Sequence, residues 1–307
     1  MRHSGDMAEV QKQTRASGIA ILLTSGLSNQ VGAAVGSFAF PVIGPVGVVA
    51  MRQFVAALVL LPIARPRFWR FSWAQWWPIL LLAVVFGTMN LSLYTAIDRI
   101  GLGLAVTLEF LGPLAVALLS SRSRATIICA AAAIVGVLCI TQPSPTADFV
   151  GIGLGVVAAA CWAAYILLNR TVGRRVPGVG GTAMATSVSA LVYLPIGIVT
   201  LSTTHPSMLI LGFAIIAGVL SSAVPYVCDL IALRTVPAHL FSLLMSVHPV
   251  FAALVGAAIL GQALNVGEWI GIALITGANV AALLLNRSGK GEPTVADEGG
   301  DPVETNG

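Results

Sequence analysis

The stretch "GLGLAVTLEFLGPLAVALLSSR", Gly101 to Arg122, carries one carboxylate, Glu109, in a run of about twenty otherwise uncharged, mostly apolar residues. A helix from Gly101 to Leu119 would be about 29 Å long at 1.5 Å per residue, which matches the hydrocarbon core of a bilayer. Arg122 and Arg124 follow it at once, as they would at a membrane surface. A carboxylate at such depth is costly, and in lipid it is usually kept for a purpose. The rest of the chain decides whether this reading holds.

The chain has 307 residues, of which 57% are hydrophobic and 9% charged. A soluble domain carries nearer a quarter charged residues. Seven of the twelve acidic residues lie in the two tails: Asp6, Glu9, Glu292, Asp297, Glu298, Asp301 and Glu304. Asp98, Asp148 and Glu268 fall at segment ends, so only Glu109 and Asp229 lie in or against apolar segments. Arg52 is the one basic residue inside such a segment.

Ten apolar segments are long enough to cross a membrane: 17–39, 44–63, 74–96, 101–119, 125–141, 149–169, 181–201, 207–228, 238–260 and 266–286. The expected fold class is therefore all-α and polytopic, with short loops and no inserted soluble domain. Residues 1–16 read as a cytoplasmic N-terminal tail. The first segment is long for a signal peptide and contains Asn29 and Gln30, so it reads as a retained helix. Residues 287–307, rich in Gly, Pro and acids, read as a disordered cytoplasmic tail.

With the N-terminus in the cytoplasm, the inner loops hold fourteen basic residues and the outer loops only Arg99. That bias is a strong positive-inside signal, and it supports an even number of spans with both termini cytoplasmic. Trp69, Trp73, Trp76 and Trp77 cluster at the second inner loop, as an interfacial aromatic belt does. Cys129, Cys139, Cys161 and Cys228 all fall in apolar segments and read as helix-packing residues, with no disulfide or chelating pair.

The two halves resemble each other. "ALVLLPI" (Ala57–Ile63) recurs as "ALVYLPI" (Ala190–Ile196), and Ala96–Pro113 aligns with Ala232–Pro249. The order and near-constant spacing argue for a five-plus-five duplication, with repeats over 17–141 and 149–286. A repeat of five helices inserts its second copy upside down. Inverted repeats of this kind are a transporter architecture, with substrate near the midplane between the halves. Pro113, Pro225 and Pro249 lie within helices, where each should kink or open the ladder.

"GPVGVVAMRQFVAALVLLPIARPRFW", "GTMNLSLYTAIDRIGLGLAVTLEFLGPLAVALLSSR", "AACWAAYILLNR" and "SSAVPYVCDLIALRTVPAHLFSLLMSVHP" resemble the EamA-type drug/metabolite transporters. Within these the chain is most similar to the threonine/homoserine exporter branch, over nearly its whole length. The resemblance implies ten helices as two inverted repeats and proton-linked efflux of small amino acids or related metabolites. Two positions depart from the branch. His248 stands where the helix-nine motif usually has Glu before proline, and Gln262 where "LGE" is usual.

Depth picks out the candidate transport residues. Glu109 lies about 12 Å in from the outer end of its helix, and Arg52 lies about 12 Å in from the outer end of helix two. An unpaired charge at that depth is expensive, so the two are expected to pair. Asn90 lies at comparable depth on helix three and would complete the hydrogen bonding. Two roles fit the pair. It is either a fixed ion pair between helices two and four, or a cavity site. In a cavity, Arg52 would face a substrate carboxylate and Glu109 an ammonium group or a proton.

His248 is a packed histidine or a pH-sensitive group. Tyr94, Trp162, Tyr165 and Tyr226 are candidate cavity aromatics or packing residues, and Tyr226 is the repeat counterpart of Asn90. Gln30 and Asn29 are deep polar residues on helix one, for the cavity or for helix–helix bonding. Asp229, near Arg234, is an interfacial capping charge or a gate.

These residues suit a secondary exporter of amino acids or similar small amphiphiles. The alternative is efflux of drugs, aromatic metabolites or cations by the same fold. No clustered carboxylate site or forced Ser/His pair supports a membrane enzyme, and no charged ring or filter loop supports a channel. No GxxxxGK[ST] loop is present in the sequence, so a gradient is the expected energy source. The expected partners are the lipid bilayer and a small-molecule substrate, with no nucleic acid, metal or cofactor. The oligomeric state is left open and a monomer is compatible with the sequence.

Overall fold

Pro113 has no N–H to return to the carbonyl of Glu109, four residues earlier, and the helix beginning at Leu102 breaks there. The computed structural model describes residues 2–119, 124–141, 148–176, 180–225, 228 and 244–288, and it is all-helical over them. The chain opens with α1 (Arg2–Ser37), α2 (Phe40–Ala64), a single 3-10 turn (Phe68–Arg70) and α3 (Trp73–Ile100). The broken fourth span is α4 (Leu102–Glu109) and α5 (Leu111–Leu119), followed by α6 (Arg124–Thr141). Next come α7 (Phe149–Arg175), α8 (Gly180–Thr204) and α9 (Met208–Gly218), which passes into a π-helical turn (Val219–Ala223). The last two are α10 (His248–Leu260) and α11 (Val266–Ser288).

Five helices have apolar stretches of 21 to 28 residues, long enough to cross a membrane, and five shorter apolar helices lie among them. The ten expected segments correspond to these ten, with shifted ends. The backbone of α1 is helical back to Arg2, into the residues read from sequence as a tail. α2 begins at Phe40 instead of residue 44, because Gly44 takes a left-handed φ of 64° that lets the helix bend ahead of Pro45. The start of the ninth expected segment and the C-terminal tail from residue 289 lie outside the described residues.

The packing is that of a protein dissolved in lipid. Leu58 is 72% exposed, Ile127 67% and Val84 63%, so large apolar side chains cover the outside. Polar side chains turn inward: Gln30, Gln53, Asn90, Glu109, Ser221, Ser222 and His248 are all buried. Helices of the second half dock on the first throughout. α7 and α8 pack on α3, α8 and α9 on α2, α9 and α10 on α1, α10 on α4, and α11 on α6.

Missing side chains allow these approaches. A Cβ on Gly103 of α4 would lie 2.9 Å from the Cα of Ala253 on α10. On α6 and α11, a Cβ on Gly136 would meet the Gly271 carbonyl at 3.0 Å. At the N-terminal end of α4, the side chain of Gln262 accepts from the Leu102 N–H at 3.0 Å. A glutamate there would supply the same acceptor oxygen.

Asp148 caps α7. It accepts from the Gly151 N–H at 2.9 Å and meets Arg99 Nε at 2.9 Å. The Gly151 amide first, and then the Arg99 guanidinium, hold its carboxyl below the usual carboxylate range.

Two predictions follow from the packing and the cap. Gly103→Val should destabilise the detergent-solubilised protein by about 1–3 kcal/mol through overpacking. Gly153→Ala should not, since nothing lies within 4 Å of a Cβ there. Equal melting temperatures for the two variants would mean that α4 and α10 are not in close contact. For Asp148, a lowered folded-state pKa contributes stability in full above the unfolded value of about 3.9. That contribution is lost as pH falls through the folded value. Asp148→Asn should lower the melting temperature at neutral pH and flatten its fall on acidification, and identical pH profiles for the two proteins would rule out this cap.

Candidate functional site

Two prolines create the polar centre of the molecule. Pro225 lies four residues beyond Ser221 and cannot donate to its carbonyl. The chain widens here into the π turn, with the Val224 N–H reaching back five residues to Val219. Arg52 of α2 uses the released group: its Nη2 donates to the Ser221 carbonyl at 2.9 Å. Its Nε donates to Ser222 Oγ at 3.2 Å. Beneath it, the Tyr94 ring centroid lies 5.2 Å from the guanidinium carbon. The turn is clasped from the other side by α1, where Ser28 donates to the Leu220 carbonyl at 2.9 Å and Ser221 donates to the Asn29 carbonyl at 3.0 Å. Gly32 has no side chain, which leaves room for Ser221 beside α1.

Glu109 ends α4 at the break made by Pro113. It is 6% exposed, and its carboxylate makes no hydrogen bond or ion pair among the described residues. The expected direct pair with Arg52 is therefore not formed. The physical reason is the π turn, whose carbonyl and hydroxyl satisfy the guanidinium first. Arg52 and Glu109 instead line one cavity and feel each other's charge across it.

That cavity holds about 120 Å³. It gathers eight of the residues singled out from sequence: Asn29, Gln30, Arg52, Asn90, Tyr94, Glu109, Trp162 and His248. Asn90 donates its amide to the Phe86 carbonyl of its own helix at 2.7 Å, and its side-chain oxygen has no partner among the described residues. The Tyr94 hydroxyl is buried and has no hydrogen-bond partner among the described residues. Phe110, at the α4–α5 break, joins two of the rings: its centroid is 4.6 Å from Trp162, edge-on, and 5.8 Å from His248. His248 Nε2 is packed against α1, 2.7 Å from where a Cβ of Gly26 would stand.

Tyr165 is not part of this set. One turn beyond Trp162 on α7, it packs against Phe86 at 5.9 Å and accepts from Asn169 Nδ2 at 3.4 Å. It is not among the residues that line the cavity. Tyr226 and Asp229 lie outside the described residues. Sequence reasoning missed Ser221 and Ser222 as the holders of Arg52, and Phe110 as the link between Trp162 and His248. For the serines a signal existed in the spacing from Ser221 to Pro225. For Phe110 none did.

Comparison with known proteins is consistent with this geometry. A model of the EamA-like transporter family matches residues 149–284. The chain is 36% identical over 274 residues to the threonine/homoserine exporter RhtA of Escherichia coli (strain K12), covering 88% of this chain and 92% of the relative. The same exporter from Salmonella typhimurium (strain LT2) matches with the same identity and coverage. A solved crystal structure of a protein with 17% identity superposes with a TM-score of 0.59, over 90% of this chain and 99% of that one, and shows a shared fold. The chain belongs to the EamA-like transporter family, and it is a multi-pass membrane transporter, not an enzyme.

Proposed function

We propose that the protein is a secondary exporter of amino acids or closely related small metabolites, working by alternating access and driven by protons. One observation carries the reading: a half-buried guanidinium and a buried carboxyl group line the same small cavity without an ion pair between them. A zwitterion complements that arrangement, its carboxylate toward Arg52 and its ammonium group toward Glu109. The amides of Asn29, Gln30 and Asn90 offer further hydrogen bonds to a polar side chain. The names of the relatives, exporters of threonine and homoserine, agree with a substrate of this size and charge.

The cavity volume favours a metabolite over a drug. At about 120 Å³ it falls below the roughly 300–1,000 Å³ of drug-sized pockets. A net-neutral lining is also a poor trap for a hydrophobic cation. His248, where the branch usually has Glu, keeps a second acid out of the site.

Packing of the helices supports the inverted repeat. Exchanging each helix for its counterpart five spans away converts the α3–α7 contact into α1–α9, α3–α8 into α2–α9, and α4–α7 into α1–α10, and all of these contacts occur. The contacts α2–α8, α4–α10 and α6–α11 map onto themselves. Two halves related in this way can exchange conformations, which opens the shared cavity to each side in turn. Glu109 then serves as the proton carrier, and substrate and proton compete for one carboxylate.

Efflux of a panel of labelled amino acids from cells or vesicles, with and without a proton gradient, tests the reading. Small neutral amino acids should leave faster with the gradient. Glu109→Gln should cut that efflux at least about tenfold, the loss expected for a charged hydrogen bond, with membrane insertion unchanged. No export of any amino acid, together with protection against a toxic cation, would overturn the proposal in favour of drug efflux. Ser222→Ala should raise KM severalfold, with the maximal rate less affected, and Ser222→Thr should restore it. An unchanged KM would mean that the π turn does not position Arg52.

A further inference from the structure

The basic end of the molecule is built as well as charged. The chain between α2 and α3 folds over the end of α7, where Phe71 packs on the cluster that contains Val172 and Val176. Pro66 lies against Gly180, whose Cβ would stand 3.7 Å from the proline Cβ. Two hydrogen bonds stitch the segments together: Gln75 Nε2 donates to the Arg175 carbonyl at 2.9 Å, and Arg175 Nη1 donates to the Ala74 carbonyl at 2.6 Å. The Arg175 guanidinium also lies 5.0 Å from the centroid of Trp77.

This stitching ties the connection that carries Arg65, Arg67 and Arg70 to the last turn of α7, which carries Arg174 and Arg175, and all five are exposed. Arg65 is committed to the Pro62 carbonyl and Arg175 to Ala74. Among the described residues, the guanidiniums of Arg67, Arg70 and Arg174 have no hydrogen-bond or ion-pair partner. Asp98 and Asp148 lie at the opposite ends of α3 and α7. Trp69, 70% exposed, and Trp73, 72% exposed, flank the same patch.

We propose that this patch binds the phosphate of an anionic glycerophospholipid. Guanidinium forks match phosphate oxygens in pairs, and tryptophans settle at headgroup depth, so both halves of the patch fit one ligand at one level of the membrane. A general excess of inner positive charge accounts for arginines on loops. It does not account for a connection with exposed indoles being hydrogen-bonded to the end of α7 while both segments carry uncommitted guanidiniums.

The test is retention of phosphatidylglycerol against phosphatidylcholine of the same acyl chains by the full-length protein in detergent, read by native mass spectrometry and by melting temperature. Phosphatidylglycerol should be retained and should raise the melting temperature, and phosphatidylcholine should do neither. The double variant Arg67→Gln/Arg70→Gln should weaken retention roughly tenfold or more. Arg124→Gln, which removes an exposed arginine at the start of α6, should leave it unchanged. Equal retention of the two lipids by the unaltered protein would overturn the proposal, even if the double variant failed to fold. An equal loss in Arg124→Gln would also overturn it, by leaving only diffuse charge attraction. Inorganic phosphate that stabilised the protein as well as the lipid does would assign the patch to a free anion instead.

Discussion

The bond from Arg52 to the Ser221 carbonyl holds the centre of this structure in place. A guanidinium inside a membrane protein cannot be left without acceptors, and a regular helix has no carbonyl to spare. Pro225 releases one, the π turn aims it, and Ser222 and Tyr94 supply the remaining contacts. With its cation satisfied by neutral groups, the cavity keeps Glu109 free of an ion pair. Had the two charges met, the cavity would hold a closed pair with little to offer a ligand.

The same economy recurs at the fourth span. Pro113 releases the carbonyl of Glu109 as Pro225 releases that of Ser221, and each break falls beside the cavity. Pro249 stands four residues after Met245, and the chain turns at Ser246 and Val247 before α10 begins. Three helices thus lose their regularity close to one place, where polar groups line a cavity instead of facing lipid. Elsewhere the helices pack through glycine and alanine and present leucine, valine and isoleucine outward.

Much of this could be read from the sequence. The apolar run lengths marked ten segments, because a bilayer fixes the length of a span. Depth counted along helices two, three and four brought Arg52, Asn90 and Glu109 to one level, and all three line the cavity. Gln30, Tyr94, Trp162 and His248 could be named as polar or aromatic residues inside apolar segments, but their direction could not. Tyr165 looked equivalent to Trp162, and one turn of helix separates their roles. The pairing of Arg52 with Glu109 was the natural inference from depth alone, and it fails because depth does not reveal the neutral acceptors that the π turn supplies to the guanidinium.

The sequence by itself determined that the chain is a helical membrane protein and which few polar residues enter the core. These follow from composition and spacing, since lipid penalises any exposed charge or unbonded backbone group wherever it stands. Only the tertiary structure decided what Arg52 binds. That depended on a backbone carbonyl about 170 residues away, set free by a proline and brought within 3 Å by the docking of α9 on α2. Partners of that kind are backbone atoms, identical in every residue, and no pattern of side chains marks them.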